Sequence, residues 1–285
     1  MTETYVGTKQ LEIADELNDI SFQVLVQYPT NEKSSLKNFG PYEMNVCMNA
    51  NIINKKYPLV IVSHGDGGSH LLYRSISTYL VKNGYIVAMI EHFGNNRNNN
   101  DLSQSIENLQ YRPRHVCLTI DFLLSNLFFK NNIQKDKISI IGHSFGGYTA
   151  LALAGGIPWT NDGQLVLTQT DDRIHSLVLM APAAAYFIPE DSLKNVNLPI
   201  LLIIGEKDTI TPRFLTEILI TNGVKDRSKI KVKMIENAGH FSFISPFPSE
   251  MKSPSFLPST DPDGFDRDQF HKELPNMILD FLVNN

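Results

Sequence analysis

Residues 137–154 read KISIIGHSFGGYTALALA, and the fold is inferred outward from this stretch. Its first part, Lys137 to Ile141, is rich in β-branched residues and is typical of a buried strand. Its last part, Phe145 to Ala154, is an apolar helix pattern that begins directly at a glycine-rich turn. The pattern G-x-S-x-G around Ser144 joins the two parts, and its glycines let a strand and a helix approach closely. The stretch therefore predicts a strand, a sharp turn that presents a serine hydroxyl, and a helix.

Short apolar runs alternate with helical patterns along the rest of the chain. The run Phe22 to Gln27 alternates at period two, as in an antiparallel strand, whereas Tyr57 to Ser63 is continuously apolar, as in a central parallel strand. Further strands are predicted at 85–90, 137–141, 174–180, 200–204 and 230–235, and helices at 71–82, 116–129, 145–154, 214–221 and 270–283. This order predicts an α/β fold with a mostly parallel sheet of about eight strands, helices on both faces, and one domain over residues 1–285.

The bulk composition is that of an ordinary globular chain. Its 285 residues carry a formal net charge of −5, which argues against a nucleic-acid-binding surface. The two cysteines, Cys47 and Cys117, lie far apart, so neither a disulfide scaffold nor a structural zinc site is expected. The N-terminus carries acidic residues where a leader peptide needs basic and apolar ones, and no apolar run is long enough to span a membrane. We expect a cytoplasmic protein, and secretion by a route that reads no leader stays open.

A serine hydroxyl becomes an effective nucleophile only beside a general base that a carboxylate orients. Asp208 lies just beyond the predicted strand 200–204, at the strand end where ligand sites of open α/β sheets gather. Glu206 is the competing carboxylate, and it lies closer to the strand. Asp171 and Asp172 precede a strand and fall on the wrong side of it. We predict Asp208 as the orienting acid.

The general base must be one of eight histidines. His240 follows the predicted strand 230–235 and lies downstream of the predicted acid, so the chain order is serine, acid, histidine. His271 is also downstream, but it falls within the last predicted helix and is expected at the surface. His92 follows a strand end and is expected to line the pocket. His70, His115 and His175 lie on helical or pre-strand segments, where a solvated or packed imidazole is the default.

A second glycine-rich segment supplies donors for a developing negative charge. Residues 63–69 read SHGDGGS and follow a predicted strand directly, so their backbone is free to turn N–H groups toward the serine. We predict that the backbone amides of Asp66 and Phe145 form an oxyanion hole. A phosphate-binding loop is the competing interpretation, but neither G-x-x-x-x-G-K-[ST] nor G-x-G-x-x-G occurs. The histidines lack the spacing of a metal site, so no metal and no cofactor are expected.

These segments together resemble the predicted dienelactone-hydrolase group, which is related to platelet-activating-factor acetylhydrolases. The matching stretches extend from about Val6 to the C-terminus and are VQYPT, PLVIVSHGDGGS, Arg112-Pro113-Arg114, IGHSFGGYTALALAG, GEKDTITP, NAGHFSF and GFDRDQFH. The resemblance implies an α/β-hydrolase fold and ester hydrolysis. It also places Ser144, Asp208 and His240 at the triad positions. Dienelactone hydrolases in the narrow sense use a cysteine nucleophile, so the serine at position 144 favours ordinary carboxylic esters over lactones.

The sequence therefore predicts two-step acyl transfer on a small or short-acyl carboxylic ester. In this mechanism Ser144 attacks the carbonyl, His240 takes its proton and Asp208 holds the histidine tautomer. A thioesterase or an amidase using the same residues is the alternative among enzymes. A hydrolase-fold binding protein without turnover is the alternative outside enzymology.

The predicted pocket has no large cap domain. The connection from Ala185 to Leu198 is too short for several helices, so the loops 92–111 and 241–262 should wall the pocket. Their scattered aromatic residues suit a shallow, partly apolar cleft for a small-molecule ester. We expect the substrate to contact His92, Phe93 and Phe243. The sequence leaves the oligomeric state open.

Overall fold

The computed structural model describes residues 3–285. Within these residues the strands are β1 (Tyr5–Asp15), β2 (Ile20–Thr30), β3 (Ser35–Phe39), β4 (Tyr42–Met48), β5 (Tyr57–Ser63), β6 (Ile86–Glu91), β7 (Ile133–His143), β8 (Ile174–Met180), β9 (Ile200–Gly205) and β10 (Ile230–Ile235). The α-helices are α1 (Arg74–Lys82), α2 (Ile106–Ser125), α3 (Phe145–Leu153), α4 (Glu217–Gly223) and α5 (Arg267–Val283). Short 3₁₀ turns lie in the connections.

The strands form one mixed sheet in the order β10-β9-β8-β7-β5-β6-β2-β1-β4-β3. From β10 to β6 all neighbours are parallel, and β2 then joins β6 in antiparallel pairing. The predicted mostly parallel sheet is confirmed, but about eight strands was too low, since the described residues form a 10-stranded sheet. The strands that were not predicted, β1, β3 and β4, lie at one end of the sheet, where polar side chains interrupt the apolar pattern.

Helices cover both faces of the sheet, as predicted. Helices α2, α3 and α4 pack on the apolar core of one face, and α1 and α5 pack on the core of the other face. Helix α2 begins ten residues before its predicted start, because Ser105 caps it by accepting the Asn108 N–H. Pro113 within α2 removes the donor for the Leu109 carbonyl, and the Tyr148 hydroxyl donates to that carbonyl instead.

The order of the central strands creates a site at one edge of the sheet. The chain passes from β5 to β6 on one side and then returns to β7 on the other side of β5. Ligand sites in open α/β sheets lie outside the carboxyl ends of the strands at such a switch of direction. The loops that follow β5 and β7 are the two glycine-rich segments of the sequence. The connection between β8 and β9 contains one short 3₁₀ turn, Ala185–Phe187, and no large cap domain within its fully described length.

Candidate active site

Ser144 stands at a strained turn between β7 and α3. Its backbone has φ of 53° and ψ of −118°, a conformation that costs energy for a residue with a side chain. Glycines make this turn possible. A Cβ at Gly142 would meet the Gly146 carbonyl, and a Cβ at Gly146 would meet the Ser63 carbonyl of β5. The strand and the helix therefore approach more closely than any other residue type permits.

The structure brings the three predicted catalytic side chains together. The Ser144 hydroxyl lies 2.9 Å from His240 Nε2, and His240 Nδ1 lies 2.9 Å from Asp208 Oδ2. His240 stands in the loop after β10 and Asp208 stands in the loop after β9, so both reach the serine from neighbouring strand ends. Both the histidine and the aspartate are buried, whereas the serine is partly accessible.

The Asp208 carboxylate is held ionised by its hydrogen bonds. Burial works against the charge, but donation from His240 and from the backbone and hydroxyl of Thr211 holds the pKa of Asp208 below its usual value. Oδ1 accepts the N–H groups of Ile210 and Thr211, each at 2.9 Å. Oδ2 accepts the Thr211 hydroxyl at 2.8 Å and faces the histidine. Sequence reasoning missed Thr211, although a threonine three residues after an acid is a common turn pattern.

The competing acids are engaged elsewhere. Glu206 is exposed, and its Oε2 accepts the Asn237 N–H at 2.9 Å. Asp171 lies before β8 and pairs with Arg173, with 2.5 Å between the carboxylate and the guanidinium. Neither carboxylate is within hydrogen-bonding distance of His240 among the described contacts. The structure thus places only Asp208, of the acids considered, against the histidine.

The two predicted oxyanion donors flank the serine. Asp66 lies in the loop after β5, and Phe145 is the first residue of α3. No backbone carbonyl of the described residues accepts a hydrogen bond from either N–H group. Within residues 3–285 these two N–H groups are therefore not used by the backbone of the fold.

A series of hydrogen bonds, which sequence reasoning missed, links the loop after β5 to the loop that carries His240. Gly65 N–H donates to the Tyr73 hydroxyl at 3.4 Å, and that hydroxyl lies 2.9 Å from His143 Nδ1. His143 Nε2 donates to the backbone carbonyl of His240 at 2.9 Å, so the hydroxyl must donate to Nδ1. Burial lowers the pKa of His143 to about 3, which keeps it in this neutral tautomer.

The prediction that His271 lies at the surface of the last helix is wrong. It is buried at the inner face of α5, where the apolar stripe of the helix packs on the sheet. Its Nδ1 lies 2.9 Å from the Ser75 hydroxyl, and its Nε2 donates to the Ser242 carbonyl at 3.1 Å. His271 therefore braces the turn that begins at His240.

The structure also corrects the three predicted substrate contacts. His92 is completely buried behind the loop that follows β5, where its Nε2 lies 2.8 Å from the Ser63 hydroxyl. Phe93 packs against the core on the face of α2 and α3. Phe243 is completely buried in the core of the opposite face, with its ring near that of His143. None of the three lines the cavities beside Ser144, because each loop turns these side chains inward.

Two cavities meet at Ser144. The first has a volume of about 480 Å³ and is walled by apolar side chains, which include Tyr42, Leu72, Phe241, Ile244, Phe247, Met251 and Phe256. The second has a volume of about 610 Å³ and a more polar wall, with Gln104, Thr160, Asn161, Asp162 and Tyr186. The predicted loops 92–111 and 241–262 do contribute to these walls, although through other residues than those predicted.

A strained serine between a strand and a helix, bonded through a histidine to an aspartate, is the arrangement of α/β-hydrolases. The profile of the family "Platelet-activating factor acetylhydrolase, isoform II" matches residues 25–100 and 99–243. This match covers most of the chain, and the chain therefore belongs to that family.

Curated relatives include platelet-activating factor acetylhydrolases and a cutinase. The chain is 29% identical to the acetylhydrolase of Bos taurus over 40% of the chain and 35% of the relative. It is 28% identical to the acetylhydrolase of Cavia porcellus over 50% of the chain and 42% of the relative. Cutinase est1 of Thermobifida alba is 20% identical over 66% of the chain and 55% of the cutinase. The matched part spans less than half of the length of these acetylhydrolases.

Solved structures show the same fold. A ferulic acid esterase from Streptomyces cinnamoneus superposes with a TM-score of 0.72 at 15% identity, covering 99% of this chain and 90% of that one. A dienelactone hydrolase from Anabaena variabilis superposes with a TM-score of 0.55 at 15% identity, covering 84% and 88%. The named relatives and structural neighbours are hydrolases of carboxylic esters. In the described part of this chain, no helix has the length and apolar character needed to cross a membrane.

Proposed function

We propose that this chain hydrolyses small or short-acyl carboxylic esters by two-step acyl transfer. Ser144 attacks the ester carbonyl while His240 takes the hydroxyl proton, and the alcohol leaves with that proton. Water then gives a proton to His240 and attacks the acyl group, which releases the acid and restores the serine. Asp208 holds the histidine in the tautomer whose Nε2 accepts the proton. The Asp66 and Phe145 amides stabilise the oxyanion of each step.

The observation that carries this proposal is the unbroken hydrogen-bonded chain from Ser144 through His240 to Asp208. A serine beside a neutral imidazole is activated for attack, and the aspartate stabilises the imidazolium that forms. Asp66 and Phe145, whose N–H groups donate to no backbone carbonyl of the described residues, line the second cavity together with Ser144. Donors fixed before the reaction supply much of the stabilisation of the transition state. A binding protein without turnover has no use for this combination.

The cavities support a small substrate. Because both cavities include Ser144, an ester carbonyl at the serine places its acyl group on one side and its alcohol group on the other. Cavities of about 480 and 610 Å³ are of the size that encloses small molecules. The apolar lining of the first cavity, which includes Phe256 and Met251, together with its limited volume suits a short acyl chain.

A series of 4-nitrophenyl esters of increasing acyl length tests the proposal, with S144A as the inactive control. We expect kcat/KM to be highest between acetyl and hexanoyl and to fall for longer acyl chains. A maximum at dodecanoyl or beyond, with a jump above the critical micelle concentration, would indicate a lipase instead. A higher kcat/KM on matched thioesters or anilides would move the assignment to a thioesterase or an amidase.

A further inference from the structure

Arg112, the first residue of the Arg112-Pro113-Arg114 motif, is a buried cation that forms no ion pair within the described part of the chain. Its side chain in α2 is completely shielded from solvent. Among residues 3–285, no carboxylate lies within ion-pair distance of it. Burying such a charge costs several kcal/mol unless its hydrogen bonds compensate, so its surroundings show what the cation does.

Neutral oxygen atoms surround the guanidinium. It donates to the His64 carbonyl, to Asn95 Oδ1 at 2.5 Å, to Thr149 Oγ1 at 3.2 Å and to Ser63 Oγ at 3.4 Å. Burial lowers the pKa of Arg112 to about 9, so the group stays protonated at neutral pH. These four acceptors belong to β5 and its loop, to the loop after β6, and to α3.

One set of these bonds holds the first oxyanion donor. The His64 carbonyl lies two residues before Asp66, so the bond to Arg112 fixes the start of the turn that carries the Asp66 N–H. The side chain of Asn95 connects Arg112 to the same residue, since its Nδ2 donates to Asp66 Oδ1 at 2.7 Å. Ser103 also donates to this carboxylate. The Asp66 carboxylate is thereby anchored in the Asn-rich loop.

The other set holds the second donor. The guanidinium carbon lies 4.8 Å from the centre of the Phe145 ring, which is a cation–π contact. Thr149, one helical turn later, accepts from Arg112 and donates to the Phe145 carbonyl at 3.2 Å. These contacts with Arg112 fix the first turn of α3 and therefore the position of the Phe145 N–H group.

Two buried histidines, His92 and His115, lie near Arg112, and both are neutral. Because the Ser63 hydroxyl accepts from Arg112, its own proton is free for His92 Nε2, and His92 Nδ1 then faces His115 Nδ1 at 3.1 Å. Burial and the neighbouring guanidinium lower the pKa of His92 well below its usual value and that of His115 to about 3. Both imidazoles are therefore neutral.

We infer that Arg112 is the positioning residue of the oxyanion hole, because one guanidinium contacts the segments that carry both N–H donors. The inference rests on the proposed function. It assigns to Arg112 of the RPR motif a role in the transition state rather than in substrate binding. A misplaced donor weakens the oxyanion contact, which forms fully only when the carbonyl becomes tetrahedral.

The test compares R112M and R112K with the wild type on a short 4-nitrophenyl ester. We expect R112M to lower kcat by about 10²-fold with KM changed by less than about threefold, because the lost contact belongs to the transition state. R112K keeps a charge but reaches fewer acceptors, and should restore part of kcat. With a trifluoromethyl ketone, Ser144 Oγ adds to the carbonyl carbon while His240 takes the hydroxyl proton, so the ketone oxygen becomes an oxyanion. Its inhibition constant should rise by a factor similar to the fall in kcat.

The neighbouring arginine provides the matched control. Arg114 lies on the same helix but pairs with Asp15, and among residues 3–285 it forms no hydrogen bond or ion pair with either donor segment. R114M should therefore lower the melting temperature while kcat stays within about twofold of wild type at a temperature where the variant is folded.

Two further outcomes separate the inference from the proposed function. If the wild type neither hydrolyses the ester nor reacts with a fluorophosphonate, the proposed function fails and the inference fails with it. If the wild type reacts and folded R112M keeps kcat and ketone affinity, the inference alone is overturned. Should both Arg112 variants fail to fold, N95A removes the link from Arg112 to Asp66 and a bond to Asn100, and it leaves the contacts of Arg112 with α3 in place. A fall in kcat of about tenfold or more at constant KM supports the inference, and an unchanged kcat overturns it.

Discussion

At the scale of single residues, the two carboxylate oxygens of Asp208 have different hydrogen-bond partners. Oδ1 is occupied by the backbone N–H groups of Ile210 and Thr211, and Oδ2 faces His240. These two backbone N–H groups can donate to an amide oxygen but not to an amide nitrogen. In an asparagine at position 208 they therefore fix which end of the side-chain amide faces His240.

In D208N, the amide oxygen should take the place of Oδ1 and the amide nitrogen should face His240. Nδ1 must then accept a hydrogen bond, which moves the imidazole proton to Nε2 and removes the base that Ser144 needs. We expect kcat to fall by about 10⁴-fold with an unchanged fold, as measured by ester turnover and circular dichroism.

The rival acid serves as the control for this prediction. Glu206 is exposed and bonded to a backbone N–H, so E206Q should keep kcat within about twofold of wild type. Near-normal turnover by D208N, together with a large loss in E206Q, would transfer the role of orienting acid to Glu206.

Sequence reasoning identified the residues whose roles depend on chain order, and it failed for those whose roles depend on packing. Ser144, Asp208 and His240 each follow a recognisable strand, and the structure brings them within hydrogen-bonding distance. The inward turn of His92 and Phe243 depends on neighbours that are distant in sequence. No local pattern shows such a turn. The same holds for Arg112, whose acceptors come from three separate segments.

At the scale of elements, the close approach of α3 to β5 holds the site together. A Cβ on Gly146 would overlap the backbone carbonyl of Ser63, and a backbone atom of a central strand cannot move aside. We expect G146A to lose at least about 2 kcal/mol of unfolding free energy and, because the oxyanion loop follows Ser63, most of its ester turnover. Urea unfolding and turnover of the same preparation measure both.

Gly40 provides the control for this prediction. Its φ of +57° makes alanine unfavourable there, but a Cβ would meet no atom within 4 Å. G40A should therefore cost about 1 to 2 kcal/mol through backbone strain alone and leave turnover unchanged. Equal losses of turnover in both variants would contradict the contact with β5 as the reason for a glycine at position 146.

The elements that sequence reasoning placed best are strands of the parallel part of the sheet. The bounds of β5, β8 and β10 agree with their predicted ranges, because β-branched runs between turn residues have few alternatives. The polar first half of α2 and the alternating, half-exposed β1 and β4 gave weaker patterns. Their formation depends on pairing and packing with the rest of the sheet.

At the scale of the whole molecule, Asp15 and Arg114 join the end of β1 to α2. The two are in bidentate contact at 2.6 and 2.7 Å, and Asp15 is buried. The hydrogen bond from Arg114 lowers the pKa of Asp15 to about 2 from its usual 3.8. A carboxylate with a lowered pKa stabilises the fold above its unfolded pKa, and this stability is lost as the pH falls toward the folded pKa.

We therefore expect D15N to lose about 2 kcal/mol of unfolding free energy near neutral pH. The difference from wild type should stay constant down to about pH 5 and fall to about half by pH 3, as carboxylates protonate in the unfolded chain. Denaturant titrations at several pH values measure it, with the exposed neighbour variant E16Q as control. A difference that is independent of pH down to pH 3 would contradict the ion-pair explanation.

The central claim is that Ser144 is the nucleophile of a serine hydrolase, and covalent labelling tests it most directly. The folded wild type is treated with a fluorophosphonate, digested and mapped by mass spectrometry, with S144A carried through in parallel. We predict a single phosphonylated site at Ser144, loss of ester turnover in step with labelling, and no labelling of S144A. Labelling at another residue, or none in folded wild-type protein, would contradict the claim.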